Sequence, residues 1–227
     1  MTIIQIYGFH APEDAAMVAA LGVEHIGLVA GMSGYSKNEL SYEQARAIFA
    51  AAPAHTVKVA ICMSTELDKL EEMLREVKPD ILQLARDPEA MPPERVRELK
   101  ERVPGLKVMQ GIPVGGPETR EKALHYAKAF EPVSDYLILD TVKVETSASF
   151  GATGKVHDWT ISRDIVQMVN IPVVLAGGLS AENVVEAIRM VHPWGVDSLT
   201  STSYPEDRMR KDPERCRAFV EAVRSVT

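Results

Sequence analysis

Cysteine is scarce in this chain of 227 residues, which contains only Cys62 and Cys216. The two lie far apart and belong to no CxxC motif, which excludes a disulfide framework and indicates a reducing compartment. The histidines His10, His157 and His192 show no metal-ligand spacing with a cysteine or with a pair of carboxylates. Because a metal site is built from several such ligands, we predict no metal.

Long apolar runs and an excess of basic charge are also missing. The apolar stretch within residues 1–14 is too short for a signal peptide or a membrane anchor, so we expect a cytoplasmic protein without a membrane partner. The chain has 25 basic and 32 acidic residues, and its net charge is -7. Proteins that bind nucleic acid usually present a basic face, so this balance argues against a nucleic-acid partner. A small anionic ligand is compatible with it, since a local site can be positive on an acidic protein.

Regular alternation is what the sequence does contain. Short β-branched runs alternate with longer segments whose apolar residues recur every three to four positions. The predicted strands cover residues 3–9, 25–30, 56–63, 80–85, 106–114, 136–141, 172–178 and 195–202. The predicted helices cover residues 13–21, 41–52, 65–77, 93–102, 117–130, 160–169, 181–191 and 213–226. Eight strand–helix units without a composition break favour a single (β/α)8 TIM barrel domain over residues 1–227, with an open doubly wound sheet as the alternative.

A glycine pair, Gly177 and Gly178, ends the seventh predicted strand, and Ser180 is a good N-cap for the helix that follows. In barrels, phosphate groups bind at the loops after strands 7 and 8, where glycines allow close approach and helix N-termini attract anions. The eighth strand runs into four hydroxyl-bearing residues, Thr200, Ser201, Thr202 and Ser203. We therefore predict a phosphate site here. The alternative is a tight turn followed by an ordinary helix cap.

Several polar residues fall within the predicted strands. Alternation along each strand assigns Tyr7, Lys58, Gln83 and Asp140 to the face that points to the barrel axis. Asp140 is the last acidic residue before its loop, so we expect it at the mouth of the site. Lys58 is expected in a buried pair low in the barrel. Cys62 is assigned to the inner face as well, and is interpreted as a small buried hydrophobic residue.

The chain resembles the phosphoribosylanthranilate isomerase family over essentially its whole length. The resemblance is most specific in LILDTVKVETSASFGATGKVHDW (137–159), PVVLAGGLSAENVVEAI (172–188) and GVDSLTSTS (195–203), with the later pair Lys211–Asp212. It implies a (β/α)8 barrel of tryptophan biosynthesis that catalyses a cofactor-free Amadori rearrangement of a phosphorylated aminoaldose. We expect a small phosphorylated sugar as the substrate and either a monomer or a homodimer.

The same resemblance implies roles for particular residues. Asp140 matches the general acid that protonates the ribose ring oxygen so that the ring opens. Gly177 and Gly178, with the region from Ser201 to Ser203, match the phosphate-binding loops. The loop containing Gly151 and Gly154 is implied to close over the substrate.

Two departures from the family pattern bear on catalysis and on recognition of the aromatic acid. Tyr7 stands where the family has the cysteine that removes the C2 proton, and a phenol is mostly protonated at neutral pH. Asn38 stands where the family has an arginine for the anthranilate carboxylate, and the adjacent Lys37 cannot reproduce an arginine fork. Ser201 also replaces a family glycine. Tyr7 would then carry a proton or hydrogen-bond to the substrate, with Cys62 as a reserve base.

These features lead to three hypotheses. The first is a phosphosugar aldose–ketose isomerase with an altered substrate, in which Asp140 and Tyr7 are catalytic and Gln83 and Asn38 contact the ligand. The second is the family's own reaction on phosphoribosylanthranilate. The third is a non-catalytic barrel that binds a phosphorylated metabolite, which would need no acid.

Overall fold

Eight parallel strands hydrogen-bond in chain order into a closed barrel. The computed structural model describes residues 1–31, 38–141 and 156–226. The strands are β1 (Ile3–Tyr7), β2 (His25–Val29), β3 (Val57–Ile61), β4 (Ile81–Leu84), β5 (Val108–Val114), β6 (Tyr136–Thr141), β7 (Val173–Leu175) and β8 (Gly195–Ser198). The pairing of β1 with both β2 and β8 closes the ring, which confirms the predicted (β/α)8 barrel and rules out the open sheet.

A helix follows each strand and covers the outside of the barrel. The helices are α1 (Pro12–Ala20), α2 (Tyr42–Ala51), α3 (Leu67–Val77), α4 (Pro93–Arg102), α5 (Arg120–Phe130), α6 (Trp159–Met168), α7 (Val184–Val191) and α8 (Pro213–Arg224). Their starts have local causes. Ser41 and Gln44 form a capping box on α2, and the Asp212 carboxylate accepts from two amides of α8. Within the described residues, no helix is long and apolar enough to cross a membrane.

Strand alternation separates an outer and an inner layer of the core. The outer layer packs strand residues such as Ile4, Leu82 and Leu139 against the helices. The inner layer fills the barrel axis with an apolar floor composed of Val59, Ile81, Met109, Ile138, Val174 and Ala176. Because the lower axis is occupied by these side chains, a ligand can enter only at the carboxyl ends of the strands.

The predicted inner face of β3 is wrong. Lys58 pairs in register with Ile26 and Ala60 with Leu28, and those partners belong to the outer layer. Val57, Val59 and Ile61 point to the axis instead, because apolar residues are needed on both faces of a barrel strand and the inner ones here are β-branched. Lys58 sits at the amino end of β3, where it is half-buried rather than enclosed in the barrel. Cys62 lies in the outer layer too, which removes it as a reserve base.

Candidate active site

Asp140 is the last inward-facing residue of β6, in register with Pro113 of β5. Its side chain is half-buried, and its Oδ1 accepts a hydrogen bond from the Thr141 amide at 2.7 Å. Burial is the main cause that raises the pKa of Tyr7 and of Asp197, and the charge of Asp140 contributes to both shifts. The predicted acid therefore lies at the mouth and is coupled electrostatically to two further titratable groups.

A hydrogen-bond chain lies directly after Asp140. Thr141 Oγ1 is 3.2 Å from His157 Nδ1, and His157 Nε2 is 2.7 Å from Ser162 Oγ on α6. Burial lowers the pKa of His157 to about 4, so the imidazole is neutral at neutral pH. This chain ties the end of β6 to the start of α6 and fixes the backbone from which the Asp140 side chain projects.

The glycine turn after β7 packs against this chain. Gly177 has φ of +86°, and a Cβ there would lie 2.3 Å from Thr141 Oγ1 and 2.9 Å from His157 Nδ1. A side chain at this position would thus be both strained and in collision. The glycine allows β7 to approach β6 closely at the mouth, and this packing need is independent of any phosphate role.

Ser180 is not the N-cap of the following helix. The N-cap position belongs to Asn183, because a turn over residues 180–183 precedes α7. The Asn183 amide group donates to the Gly178 carbonyl oxygen at 3.0 Å, and the Ser180 amide donates to Asn183 Oδ1 at 2.8 Å. Asn183 thus shapes the turn that carries both glycines, a role that the sequence pattern did not reveal.

The hydroxyl run after β8 folds into a short 3-10 helix, Thr200–Thr202. Thr202 Oγ1 and Ser203 Oγ donate to the Leu199 carbonyl oxygen at 3.0 and 2.9 Å, and both residues are fully buried. Both hydroxyls therefore bond within this segment, and phosphate binding by Thr202 and Ser203 stays a prediction. Ser201 is half-buried and stays a candidate. Ser198 Oγ donates to the Leu179 carbonyl oxygen at 2.9 Å, which joins this segment to the glycine turn.

Tyr7 ends β1 on the inner face. A Cβ placed on Gly27 would lie 2.5 Å from Tyr7 Cδ2. The Tyr7 ring therefore occupies the space that a side chain at Gly27 would need. Tyr7 Oη is buried, and within the described parts of the chain it has no hydrogen-bond partner. Burial first, and then the charges of Asp197 and Asp140, raise the pKa of Tyr7 well above its ordinary value. The phenol therefore stays protonated at neutral pH, which argues against Tyr7 as a base.

Two further titratable residues, Asp197 and Lys211, lie near the mouth. The sequence pattern predicts no role for either of them. Asp197 lies on the inner face of β8, in register with Gln5. Lys211 is 1% exposed, and its Nζ donates to the Tyr7 carbonyl oxygen at 2.6 Å and to Ser203 Oγ at 2.9 Å. Burial lowers the pKa of Lys211 to about 8. Alternation along β8, where Val196 is apolar, could have placed Asp197 on the inner face.

The remaining predicted residues are dispersed. Gln83 lies in the interior, where its Oε1 is 3.5 Å from Gln5 Nε2. Asn38 is exposed in the connection between β2 and α2. Gly151 and Gly154, like Lys37, lie outside the described residues. Among the residues that are described, no three histidine, cysteine or acidic side chains group in a way that could hold a metal ion.

The geometry defines a (β/α)8-barrel protein with carboxylates and a glycine turn at the carboxyl ends of its strands. A family model described as N-(5'phosphoribosyl)anthranilate (PRA) isomerase matches residues 4–222. The chain belongs to this family of isomerases.

Curated relatives and solved structures agree with the family model. The N-(5'-phosphoribosyl)anthranilate isomerase of Methanocella arvoryzae is 34% identical over 224 residues, which cover 99% of each chain. That of Haloferax volcanii is 34% identical over 99% of this chain and 94% of its own. The crystal structure of the Thermotoga maritima enzyme covers 99% of this chain and all of its own, with a TM-score of 0.80 and 27% identity. A phosphoribosyl anthranilate isomerase solved with reduced 1-(o-carboxyphenylamino)-1-deoxyribulose 5-phosphate covers the same shares with a TM-score of 0.77 and 25% identity.

Proposed function

We propose that this protein is a cofactor-free aldose–ketose isomerase that rearranges a phosphorylated ribosylamine, with Asp140 as the general acid. The observation that carries the proposal is the placement of Asp140 as the last inward-facing residue of β6 in a chain of the phosphoribosylanthranilate isomerase family. Family membership supports an isomerase related to tryptophan biosynthesis. The substrate that we propose carries an amine substituent other than anthranilate.

The proposed chemistry begins with ring opening. The protonated carboxyl of Asp140 gives its proton to the ring oxygen, and the bond between C1 and that oxygen breaks. The nitrogen lone pair forms a C1=N iminium, while Asp140 is left as a carboxylate. Loss of the C2 proton then forms an enol, which becomes the ketone when C1 takes up a proton. A positioned acid typically contributes about 10²–10⁴-fold to such a step.

The phosphate of the sugar is assigned to the turn of Gly177 and Gly178 together with Ser201. Support comes from the position of these residues after β7 and β8, the end of the barrel at which phosphate groups commonly bind. The Ser198 to Leu179 hydrogen bond keeps the two segments adjacent. The structure solved with a deoxyribulose 5-phosphate derivative is similar to this chain and carries a ligand of the same class.

The altered substituent is proposed from the two departures at the mouth. Asn38 is exposed and neutral at the position where the family pattern has an arginine, so it offers a carboxylate no positive charge. Tyr7 fills the axis beside Gly27 with an aromatic ring. A bulky anionic aromatic substituent would therefore lose a charge partner and meet a larger side chain than the family's cysteine.

Steady-state kinetics of wild type and Asp140→Asn on phosphoribosylanthranilate and on other N-substituted ribosylamine 5-phosphates test the proposal. We expect wild type to favour a substrate without the anthranilate carboxylate. Asp140→Asn should lower kcat by about 10²–10⁴-fold while the affinity for ribose 5-phosphate stays within about threefold. Glu206→Gln is an exposed control and should leave kcat unchanged. Ordinary enzyme rates with phosphoribosylanthranilate would overturn the altered substituent, and full activity of Asp140→Asn would overturn the acid.

A second candidate function is a non-catalytic barrel that binds a phosphorylated metabolite. One observation favours it, namely that the residue at the family's base position is a buried phenol whose pKa is raised well above its ordinary value. A binder would show no turnover with any of these substrates. Its affinity for ribose 5-phosphate, measured by calorimetry, would be nearly the same in wild type and in Asp140→Asn.

A further inference from the structure

We infer that Asp197 is a catalytic residue of this site and removes the C2 proton that the family's cysteine would otherwise take. The inference rests on the proposed isomerase function and deepens it. It assigns the second proton transfer to a carboxylate on β8 rather than to the tyrosine at the end of β1.

The first support is the position of Asp197. It pairs in register with Gln5 and is the last inward-facing residue of β8, as Asp140 is of β6 and Tyr7 of β1. The three side chains therefore approach the same mouth from three strands. The electrostatic effect of Asp140 on both Asp197 and Tyr7 agrees with this proximity.

The second support is a buried polar atom without a partner. Asp197 is 8% exposed, and its Oδ1 has no hydrogen-bond partner in the described portion of the chain. An unpaired buried oxygen costs about 1–3 kcal/mol, and more if it is charged. Such a group persists in a folded protein where a ligand or a function requires it. Tyr7 Oη is likewise buried and has no hydrogen-bond partner among the described residues.

The third support is electrostatic, and four neighbours matter. Burial, and then the charge of Asp140, raise the pKa of Asp197 to about 7. A hydrogen bond from Gln5 and the charge of Lys211 act in the opposite direction, and Tyr7 adds a neutral phenol. Because the charge of Asp140 raises the pKa of Asp197, the two carboxyls are coupled, and loss of a proton from Asp140 favours proton uptake by Asp197.

Lys211 is a poorer candidate for the base. Its Nζ donates to the Tyr7 carbonyl oxygen and to Ser203 Oγ, so it is used in joining the end of β1 to the segment before α8. The Asp14 carboxylate accepts from the Lys211 amide at 2.9 Å and from the Arg210 guanidinium, which fixes that segment further. Moving this amine to a substrate would break these contacts.

The proton transfers of Asp197 and Asp140 balance over the whole reaction. After ring opening, the Asp197 carboxylate takes the C2 proton and becomes a carboxylic acid. The electron pair of the C2–H bond forms C1=C2, and the π pair of the iminium moves to nitrogen. The Asp197 carboxyl then returns its proton to C1, while the enol hydroxyl gives its proton to the Asp140 carboxylate as the ketone forms. Both carboxyls regain their starting states, and no oxidant or cofactor is used.

The test compares Asp197→Asn with Asp140→Asn on the ribosylamine phosphate that wild type turns over best, with and without deuterium at C2. We expect Asp197→Asn to lower kcat at least 100-fold and to show a full primary isotope effect, because C–H cleavage becomes rate-limiting. Asp140→Asn should show little isotope effect, since ring opening then limits the rate. Asp197→Asn should fold, because an amide of the same shape replaces a buried acid.

A second measurement does not depend on turnover. Infrared difference spectra of wild type should show a carboxyl band that titrates near pH 7 and is missing in Asp197→Asn. A band that does not titrate between about pH 5 and 9 would overturn the inference. Wild-type turnover with normal kcat in Asp197→Asn would overturn it while leaving the proposed function intact. Absence of wild-type turnover on all ribosylamine phosphates would overturn both.

Discussion

The two sides of the barrel mouth differ in how their polar groups are satisfied. On the side of β6 and β7, Thr141, His157 and Ser162 form a continuous hydrogen-bond chain against Gly177. On the side of β8 and β1, Asp197 Oδ1 and Tyr7 Oη are buried and, as far as the chain is described, unpaired.

The two sides therefore differ in role: the β6–β7 side supports the structure, and the β8–β1 side offers polar groups to a ligand. The β6–β7 side consists of groups that hold one another, so a change there should affect folding as well as the orientation of Asp140. The β8–β1 side retains polar atoms at an energetic cost, which is typical of groups kept for a ligand. Substitutions on the two sides should therefore have different signatures.

The largest effect should come from Gly177→Ala on the β6–β7 side. A Cβ would collide with Thr141 Oγ1 at 2.3 Å in a backbone with φ of +86°. Strain and overpacking together predict a loss of about 2–5 kcal/mol in the free energy of unfolding, measured by urea denaturation.

Gly22→Ala is the matched control for this prediction. Gly22 has nearly the same φ of +84°, and nothing lies within 4 Å of its hypothetical Cβ. Gly22→Ala should therefore lower the free energy of unfolding only by the backbone strain, about 1–2 kcal/mol. Equal losses in the two variants would show that contact with Thr141 and His157 is unimportant.

A smaller effect, which depends on pH, should come from His157→Gln. The pKa of His157 is about 4 in the folded chain and 6.5 as a free group, so between these values the unfolded chain binds the additional proton. Stability is full above pH 6.5 and falls as the pH falls towards 4. From pH 7.5 to 5, this histidine should reduce the free energy of unfolding of wild type by about 2 kcal/mol.

His157→Gln should lack that part of the decline, whereas the exposed His55→Gln should follow wild type. Urea denaturation at the two pH values measures both. His25, whose pKa is also lowered to about 4, gives every variant a residual decline. Parallel curves for wild type and His157→Gln would mean that the buried imidazole chain is not neutral.

The smallest effect is expected for Tyr7→Phe on the β8–β1 side. The Tyr7 hydroxyl is buried and has no partner among the described residues, so its removal should change the free energy of unfolding by less than about 1 kcal/mol, in the stabilising direction. Activity should stay within about fivefold of wild type, since we infer that Asp197 is the base. Tyr126→Phe is the contrast, because its hydroxyl donates to Glu89 at 2.7 Å and its loss should destabilise by about 1 kcal/mol. A large loss of activity in Tyr7→Phe would return the tyrosine to the catalytic group.

The errors of the sequence interpretation arose where local rules met neighbouring strands. Alternation along β3 allows either face to point to the axis, but its register with β2 directs Val59 to the axis and Lys58 outward. Ser180 fits the N-cap pattern, yet a turn held by Asn183 delays the helix to Val184. The sequence pattern also does not reveal that the hydroxyls of Thr202 and Ser203 both donate to the Leu199 carbonyl oxygen.

The sequence by itself determined the order of strands and helices and hence the closed barrel, because periodicity and chain length act locally and repeat eight times. It also determined that Asp140, near the end of β6, and Gly177, in the turn after β7, lie at the same mouth. Only the tertiary structure decided which polar atoms are paired, since pairing depends on side chains brought together from distant strands. One example is the contrast between the hydrogen-bonded His157 and Asp197 Oδ1, which has no partner among the described residues and lies where β8 closes the barrel against β1.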